Sequence, residues 1–433
     1  MLLYHLLEVY QLFKEENPDL KIGKSKFISL RPQNILPITD KNHNQCCCIY
    51  HENFSLLFQS LKKINNDILS DREFLALCVC SKESLKCHKR ECKKCPKILT
   101  LVNNEITKKI NEKDDLKIIQ WTNNCKQASV YSVKQLEPII INQTVAMLKH
   151  HYIAKHQTRM IKDLKKNLAR DEIVLQEDFS ENFNIKQQNE IMSAHWHKSK
   201  KSDDENDSQV AIFTAIVYKT ETDYISIVIV TDCLTKDKFT VAACNKKVCE
   251  EIEKSTFPLT KIHAFTDGAG GQFKNCYTLS LLTEPTILNS NIEQMDWSFF
   301  ATAHGKGPID GLGGTVKRTV WKRILQDKVL INSAEDFAKE AAQNCPNIRV
   351  IYLPQIDIDE MKAKLTKHWD QKIPKTIEDT RQLHFFKASA DSERDLEVSE
   401  VSYFKEVPSV TGITKGHSVT VLKERKIHTC QKK

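Results

Sequence analysis

The chain has 433 residues, enough for two or three domains with ordinary hydrophobic cores. Hydrophobic residues make up 40% and charged residues 28%, a composition typical of a soluble globular protein. No apolar run approaches the roughly 20 residues that a membrane-spanning helix needs, so no such helix is expected. The net charge of +8 at pH 7 is compatible with a nucleic-acid partner but does not establish one.

The first 45 residues predict a short amphipathic helix followed by an extended, solvated segment. The start, MLLYHLLEVYQLFKEENP, lacks the basic region of a signal peptide, and His5 and Glu8 interrupt its apolar run. We therefore expect an intracellular protein with reduced cysteines, for which clustered thiols indicate metal binding.

Eight of the fifteen cysteines lie between Cys46 and Cys95. Four of them form the pattern C-x6-C-x4-C-x2-C, namely Cys80, Cys87, Cys92 and Cys95. Thiolates on short loops suit tetrahedral Zn²⁺, and a region with few apolar residues gains folding free energy from such an ion. The alternative is a set of free buried thiols, which the clustering and the surrounding lysines disfavour. Cys46 or Cys48, together with His51, either completes this zinc site or forms a second one.

Strands are expected in KIIQWTNN and SVYSVKQL, before a long helix from Glu137 to about Arg170. One face of that helix is rich in basic residues: Lys149, His150, His151, Lys155, His156, Arg159, Lys162, Lys165 and Lys166. Such a face could follow a phosphate backbone, with Lys155, Arg159 and Lys162 as contacts. A solvated helix that joins two domains explains the same pattern nearly as well.

Residues 172–325 predict the element order β-β-β-α-β-α-β-α. Strands are expected at Glu172–Gln176, Val210–Lys219, Tyr224–Asp232, Ile262–Thr266 and Trp297–Thr302. Helices are expected in CNKKVCEEIEKS, over Gln272–Leu282 and over Ile309–Leu325, and a hydrophilic loop over Lys198–Ser208. This is the order of the ribonuclease-H-like fold, an α/β class with a mixed sheet flanked by helices.

Three aspartates stand where that fold brings carboxylates to one edge of its sheet. Asp178 follows the first strand, Asp267 follows the fourth, and Asp310 begins the last helix. Asp267-Gly268 and Asp310-Gly311 are also ordinary turn dipeptides, so neither indicates a site alone. The agreement of all three with the element order favours a site. Glu181 is a weaker alternative to Asp178. The dense glycines around Asp310 predict close backbone approach or positive φ.

Several of these segments resemble a group of largely uncharacterised animal proteins derived from DNA transposons. They are NPDLKIGKSKFISLRP, the CxxxH cluster, CHKRECKKCP, DFSENF with QNEI and SAHW, TDGAGGQFKN and FFATAHGKGPIDGLGGTVKR, so the resemblance covers roughly Tyr10 to Arg323. The third acid is Asp here, where transposases usually have Glu. The resemblance also implies that a fuller copy carries more DNA-binding sequence ahead of residue 1.

The resemblance implies a transposase-type core that cuts and joins DNA by an acidic triad, Asp178, Asp267 and Asp310. These carboxylates would hold two Mg²⁺ or Mn²⁺ ions, while one or two Zn²⁺ ions would be structural. His304 and Lys306 would contact the scissile phosphate. Further DNA contacts are expected from Gln272, Lys274, Lys317 and Arg318. The expected partners are DNA and other copies of the chain assembled on DNA, with no membrane and no small-molecule substrate, and the expected location is nuclear.

Two other functions account for the same sequence: a domesticated, catalytically silent DNA-binding or chromatin protein, and a ribonuclease-H-type nuclease acting on RNA–DNA hybrids. The predicted organisation is a zinc-binding region over 1–130, a basic helical connector over 131–170, the catalytic-type domain over 171–326 and a small α+β accessory region over 327–433. Within that last region, Ala388–Glu400 is expected to be a loose charged linker.

Overall fold

The computed structural model describes residues 6–30, 32, 48–111, 115–185, 209–255, 257–305, 307–326, 328–404 and 417–424. The chain divides into two compact units, Met1–Cys48 and Ile49–Lys433. In the first unit, helices α1 (Leu6–Glu16) and α2 (Lys24–Ser29) pack through aromatic side chains. The ring of Phe27 lies 5.4 Å from that of Tyr10 and 4.8 Å from that of Phe13.

The second unit opens with a helical region. Its helices are α3 (Ile49–Ile64), α4 (Asp71–Leu77), α5 (Leu85–His88) and α6 (Ile98–Glu105). A hairpin of β1 (Leu116–Thr122) and β2 (Cys125–Tyr131) follows. The core of this region contains the tilted, mutually packed rings of Phe54, Phe58 and Phe74. The expected strand SVYSVKQL was only half right, because β2 ends at Tyr131 and Ser132 caps the next helix.

Helix α7 spans Val133–Lys166 and starts four residues before the predicted position, because Ser132 and Gln135 form a capping box. Its C-terminal half packs against the main sheet. The buried amide of Gln157 donates hydrogen bonds to the carbonyl oxygens of Phe299 (2.9 Å) and His384 (3.1 Å). A helix that buries a fully satisfied amide in this way is part of the core rather than a solvated rod.

The main sheet has ten strands. Its consecutive members run in the order β13-β12-β11-β8-β7-β3-β5-β6-β9, and the short β4 pairs with β5. Their bounds are β3 Glu172–Phe179, β4 Phe183–Asn184, β5 Gln209–Tyr218, β6 Tyr224–Thr231, β7 Lys261–Thr266, β8 Gln294–Phe299, β9 Arg349–Tyr352, β11 Phe385–Ala388, β12 Asp395–Ser399 and β13 His417–Thr420. β10 (Lys372–Pro374) and β14 (Leu422–Glu424) form a separate pair.

The central strand is β3. It runs antiparallel to β5, which runs antiparallel to β6, and it runs parallel to β7, which runs parallel to β8. This is a mixed α/β sheet flanked by helices, as predicted at that level. Four further helices accompany α7: α8 (Lys238–Glu253), α10 (Pro308–Leu325), α11 (Ala334–Asn344) and α12 (Gln355–Gln371).

Alternation along the strands divides the helices between the two faces. On one face, Ile173 and Leu175 of β3 share a core with residues of α8 and α12. On the other face, Val174 of β3 packs with residues of α7, while β5 and β6 pack against α10 and α11. Asp178 lies four residues after Val174 in β3, and side chains alternate along a strand. The side chain of Asp178 therefore lies on the same face as that of Val174, the face that α10 covers.

Several predicted bounds moved. β3 extends to Phe179, because β5 pairs with it to its end, so Asp178 lies inside the strand. β8 ends at Phe299 rather than Thr302, where the chain turns towards Ala303 with a φ of 61°. Helix α9 is only Cys276–Ser280, since Asn275 caps it by accepting the N–H of Thr278, and a 3-10 turn follows it.

The expectation of a loose linker over Ala388–Glu400 was wrong. Residues Asp395–Ser399 form β12, and Leu396 and Val398 are fully buried. Their acidic neighbours conceal this apolar alternation in the sequence. Strands β9, β11, β12 and β13 all join the main sheet, which therefore extends across the boundary predicted at residue 326. Among the described residues, no helix combines the length and apolar character needed to cross a membrane.

Candidate functional site

Two of the predicted acids lie beside each other at the carboxyl end of the central parallel strands. β3 and β7 pair with Gln176 opposite Phe265, and this register continued by two residues places Asp178 opposite Asp267. Adjacent strands are about 4.8 Å apart. Side chains alternate along a strand, so Asp267 lies on the same face as Phe265. Phe265 packs in the same cluster as Val174, and the carboxylates of Asp178 and Asp267 therefore lie on one face of the sheet.

The third acid reaches the same edge through α10. Asp310 is the third residue of this helix, and its Oδ2 accepts the backbone N–H of Gly307 at 2.7 Å. One turn later, a Cβ added to Gly313 would lie 2.4 Å from Oγ of Ser180, the residue after β3. Such a close approach requires glycine, and it brings the first turns of α10 against the end of β3. We call Asp178, Asp267 and Asp310 the acid site.

The three carboxylates interact electrostatically. Burial, then the negative charge of Asp267 and to a smaller extent that of Asp310, raise the pKa of Asp178 to about 6. The opposing effects are the N–H of Phe179, which donates to Asp178 Oδ1 at 2.8 Å, and the more distant Lys236. Asp267 Oδ1 likewise accepts an N–H, from Ala269 at 3.0 Å. The edge thus concentrates negative charge.

The acid site is more open than a single-ion cage. Among the described residues, these aspartates do not form a group whose ligand atoms all lie within 4.8 Å of one another. Two ions would themselves be about 4 Å apart, so the carboxylates that flank them span a wider centre. The neighbouring Glu177 is not a candidate ligand, since its fully buried side chain faces Asn245 of α8.

The glycines act through space rather than through unusual φ angles. The sequence predicted either close backbone approach or a positive φ for the glycines around Asp310. None of the described glycines adopts a left-handed φ, so the second role does not apply. Close approach holds at Gly313, where a Cβ would collide with Ser180. A Cβ on Gly305 would make ordinary van der Waals contact with the Phe300 ring at 3.4 Å and with Asp267 Cβ at 3.6 Å. The loop between β8 and α10 therefore lies directly against Asp267.

The four predicted thiols come together. Sγ of Cys80 lies 3.5 Å from that of Cys87 and 3.6 Å from those of Cys92 and Cys95. A tetrahedron of Zn–S bonds of about 2.3 Å has edges of about 3.8 Å, so this group can hold a zinc ion. The backbone N–H of Cys80 also points at Cys95 Sγ at 3.4 Å. Arg90 secures both ends of the loop by donating to the carbonyl oxygens of Cys78 and Pro96.

Neighbouring thiols shift the pKa values of Cys80 and Cys92 in opposite directions. Hydrogen bonds with Cys87, Cys92 and Cys95 raise the pKa of Cys80 to about 12. The N–H of Lys94, together with Cys80, lowers the pKa of Cys92 to about 7. Cys78, two residues before Cys80, is not part of this group. Its Sγ instead bonds the carbonyl of Phe74 at 3.2 Å, and burial raises its pKa to about 12, as expected for a structural thiol.

A second group contains histidines from three elements. His51 of α3, His150 of α7 and His304 of the β8–α10 loop have ring centroids 4.9 to 5.2 Å apart. Nδ1 of His51 lies 3.3 Å from Nε2 of His304, and Nε2 of His51 lies 3.2 Å from Nδ1 of His151. One ring nitrogen from each of His51, His150 and His304 lies within 4.8 Å of those of the other two. We call these three residues the histidine cluster.

The sequence alone placed His150, His151 and His304 in other roles. His150 and His151 were counted in the basic face of α7, but burial lowers their pKa values to about 3 and about 4, so both are neutral. His156 is also buried. His304 was expected at the scissile phosphate and instead packs against His51. No motif signals this grouping, because the three ligands lie about 100 residues or more apart in sequence.

Of the other two predicted ligands, Cys46 and Cys48, only Cys48 lies in the described part of the chain. Cys48 is buried and is the last residue of the first unit. Cys46 lies outside the described residues, as does Lys306, a predicted phosphate contact.

The side chains predicted to contact DNA differ in their exposure to solvent. Lys155, Lys162 and Arg318 are exposed, and Arg159 is exposed but paired with Glu83 and Asp163. Gln272 is half-buried. Lys274 is half-buried under Phe299, with its Nζ 5.1 Å from the ring, and burial lowers its pKa to about 8.

A lysine that the sequence did not single out lies beside the acid site. Nζ of Lys236, from the loop after β6, donates to the carbonyl of Ser180 at 2.8 Å and influences Asp178 electrostatically. Lys317 of α10 donates to the carbonyl of Glu181 at 3.1 Å. Both ammonium groups therefore hold the chain that leaves β3, next to the carboxylates.

Three family models match consecutive parts of the chain, and each is described as a domain of unknown function. They are DUF8699 over residues 1–39, DUF8700 over 49–150 and DUF8701 over 157–402. No curated protein and no solved structure matches the chain.

Proposed function

The chain belongs to the family described as Domain of unknown function (DUF8701), and we propose that it is a transposase-like DNA-processing protein whose Asp178, Asp267 and Asp310 support metal-dependent phosphodiester cleavage and strand transfer. The observation that carries the proposal is the convergence of these three acids on one face and one edge of the sheet. The helix that bears Asp310 is held there by the contact between Gly313 and Ser180.

The strand arrangement supports a ribonuclease-H-like core. β3, β5, β6, β7 and β8 appear in that order along the chain, with helices α8, α9 and α10 after β6, β7 and β8 respectively. In space β3 is central, with the antiparallel hairpin β5–β6 on one side and the parallel pair β7 and β8 on the other. This order agrees with the fold that the resemblance to transposon-derived proteins implies.

The donor set fits Mg²⁺ or Mn²⁺, which prefer carboxylate oxygens. Asp178 and Asp267 would be the principal ligands, and Asp310 would complete the shell. The raised pKa of Asp178 reflects burial first and then the negative charge of Asp267, and a bound divalent cation would offset both effects. The chemistry that two such ions supply is activation of the attacking oxygen and stabilisation of the leaving oxygen during in-line displacement.

The chain's own residues would position the nucleic acid. In hydrolysis the water oxygen forms a bond to phosphorus, the bond from phosphorus to the leaving sugar oxygen breaks, and the water proton passes to solvent or to that oxygen. In strand transfer a 3′-hydroxyl takes the place of water. Lys236 and Lys317 lie beside the acids and supply positive charge for a phosphate backbone.

The test is a cleavage assay on the full chain with Mg²⁺ or Mn²⁺, using supercoiled plasmid DNA, a labelled DNA duplex and an RNA–DNA hybrid. We expect nicking of DNA, and we expect Asp267→Asn to lower the rate at least about 100-fold, because a principal ligand is lost. Asp359→Asn, an exposed aspartate of α12, is the matched control and should cleave like the wild type.

The other outcomes separate the alternatives. Cleavage of the hybrid alone would support the ribonuclease-H-type nuclease. DNA binding without cleavage by a correctly folded wild type would support the silent DNA-binding protein and would overturn the enzymatic proposal.

A further inference from the structure

We propose that His51, His150 and His304 bind a zinc ion that fixes the loop between β8 and α10 against Asp267. This site is separate from the four-cysteine group, whose thiols complete their own tetrahedron. The sequence-based expectation placed His51 with Cys46 or Cys48, either in the four-cysteine site or in a second one. The present proposal adds His150 and His304 as ligands.

The distances suit direct coordination. Zn–N bonds of 2.0–2.1 Å in a tetrahedron place ligand nitrogens about 3.4 Å apart. Nδ1 of His51 and Nε2 of His304 are 3.3 Å apart. One ring nitrogen of His150 lies within 4.8 Å of a ring nitrogen of each of the other two histidines. Imidazole nitrogen is a preferred ligand of Zn²⁺, and three such ligands make a typical incomplete tetrahedron.

The surroundings favour the tautomer of His51 and the ring orientation of His150 that metal binding needs. Nε2 of His51 is 3.2 Å from Nδ1 of His151, so a proton on His51 Nε2 can be donated to His151. That tautomer leaves His51 Nδ1 unprotonated and directed at His304. Ligating histidines usually donate their second N–H to a neighbouring acceptor in this way. Tyr50 stacks on His150 with ring centroids 4.5 Å apart and restricts its rotation.

The composition of the group points to zinc rather than to Mg²⁺ or Ca²⁺. All three rings are half-buried, and among the described residues no carboxylate belongs to the group. Imidazole nitrogen suits Zn²⁺, whereas Mg²⁺ and Ca²⁺ prefer oxygen ligands.

The cluster connects distant parts of the second unit. His51 lies near the start of α3, His150 lies in α7, and His304 lies in the loop that leads to Asp310. Gly305, the next residue, lies beside Asp267: a Cβ on it would be in van der Waals contact with Asp267 Cβ at 3.6 Å. An ion held by His304 would therefore fix the backbone beside one acid and a few residues before another.

A fourth ligand would be a thiolate or a water molecule. Cys48 precedes His51 by three residues in sequence and is the thiolate that sequence reasoning puts forward. Metal binding by the three histidines does not depend on the proposed function. The role of the ion in positioning the loop rests on it, so the tests read out zinc and backbone exchange rather than cleavage.

The first test is zinc content of the purified full chain, measured by elemental analysis after removal of loosely bound metal. We expect two zinc ions per chain in the wild type and one in His304→Ala. Cys92→Ser should also lose one, from the four-cysteine group. His304→Cys replaces one zinc ligand by another and should retain both ions. His368→Ala, a half-buried histidine outside the cluster, is the matched control and should retain both.

X-ray absorption at zinc provides a readout that does not depend on a variant's folding. The wild type should show imidazole nitrogen as well as sulfur around zinc, and His304→Ala should show sulfur with little nitrogen. One zinc per chain with sulfur alone in the wild type, or unchanged zinc content in His304→Ala, would overturn the proposed site. The same measurements on Cys48→Ser identify the fourth ligand: loss of one zinc and one sulfur would assign a thiolate, and no change would assign water.

Hydrogen exchange tests the effect on the loop. Peptides that cover residues 299–305 should exchange about tenfold faster in His51→Ala than in the wild type, because the loop loses its attachment while the acids are untouched. Equal protection in both proteins would show that the ion does not hold the loop, even if zinc is bound.

Discussion

At the residue scale, a chain of charged groups lies in the interior of the sheet, across the neighbouring strands β3, β7 and β8. His263 of β7 is fully buried, with Nδ1 2.7 Å from Oδ2 of Asp296 on β8 and Nε2 3.8 Å from Glu172 on β3. Lys261 in turn pairs with Glu172 at 2.8 Å. Burial lowers the pKa of His263, but Asp296 and Glu172 together outweigh burial and raise it to about 9.

The raised pKa of His263 makes stability depend on pH in a definite direction. Its folded pKa lies above the ordinary value of 6.5, so its contribution is complete below pH 6.5 and is lost as pH rises through about 9. We expect the melting temperature to fall across that interval. In His263→Gln the fall should be much shallower, which thermal unfolding across the interval measures. A parallel pH dependence in both proteins would contradict this assignment.

At the element scale, helix α10 is positioned by one glycine while its neighbour is unconstrained. A Cβ on Gly313 would lie 2.4 Å from Oγ and 2.7 Å from Cβ of Ser180, whereas a Cβ on Gly314 would have nothing within 4 Å. Gly313 faces the sheet and Gly314 does not. The helix can therefore approach β3 only where glycine stands, and this approach sets the location of Asp310.

This difference predicts opposite effects of two adjacent alanine substitutions. Gly313→Ala should destabilise the protein by about 1–3 kcal/mol, since overpacking forces α10 away from β3. Gly314→Ala should be neutral or stabilise by up to about 1 kcal/mol, because alanine favours helix. Chemical denaturation measures both. Adding Ser180→Gly to Gly313→Ala removes the clash and should recover most of the loss. Equal effects of the two alanines would mean that α10 is not in close contact with β3.

The zinc-binding elements differ in how far sequence predicted them. The four thiols lie within sixteen residues, so their spacing alone indicates a common ion. The histidine cluster draws on α3, α7 and the β8–α10 loop, which only the packing of the second unit brings together. Its members were therefore divided between a cysteine-rich motif, a basic helix face and a phosphate contact.

At the scale of the whole molecule, the sheet unites segments that the sequence separates. β9 pairs in parallel with β6, and β11 pairs antiparallel with β8, so both sides of the central five strands are extended by the C-terminal part of the chain. Phe386 and Leu396 from that part are fully buried in the largest core cluster. The region that precedes residue 326 therefore relies on strands that follow it.

A shortened chain tests this dependence. A protein that ends at Gln326 would expose the unpaired edges of β6 and β8 and part of the core, and we expect it to aggregate. A protein that ends at Glu424 keeps every described strand and should remain monodisperse with an unchanged melting temperature. Size-exclusion chromatography and thermal unfolding distinguish them. A soluble, cooperatively unfolding protein ending at Gln326 would instead support an independent domain over residues 171–326.

The sequence by itself determined the features that depend on local order: the five central strands, the helices between them, the four clustered thiols and the candidate acids at strand ends. Hydrophobic periodicity and ligand spacing act over short distances, so they can be recognised without a structure. Strand limits moved where a partner strand or a capping residue decided them, as at Asp178 and Asn275.

Only the tertiary structure decided which distant groups meet. The parallel pairing of β3 and β7 sets Asp178 opposite Asp267, and the sheet recruits β12 from a charged segment whose two apolar residues were too few to predict burial. The histidine cluster exists because three separate elements pack at one point. Such contacts arise from the packing of apolar faces between elements, and no local pattern of residues specifies which faces will touch.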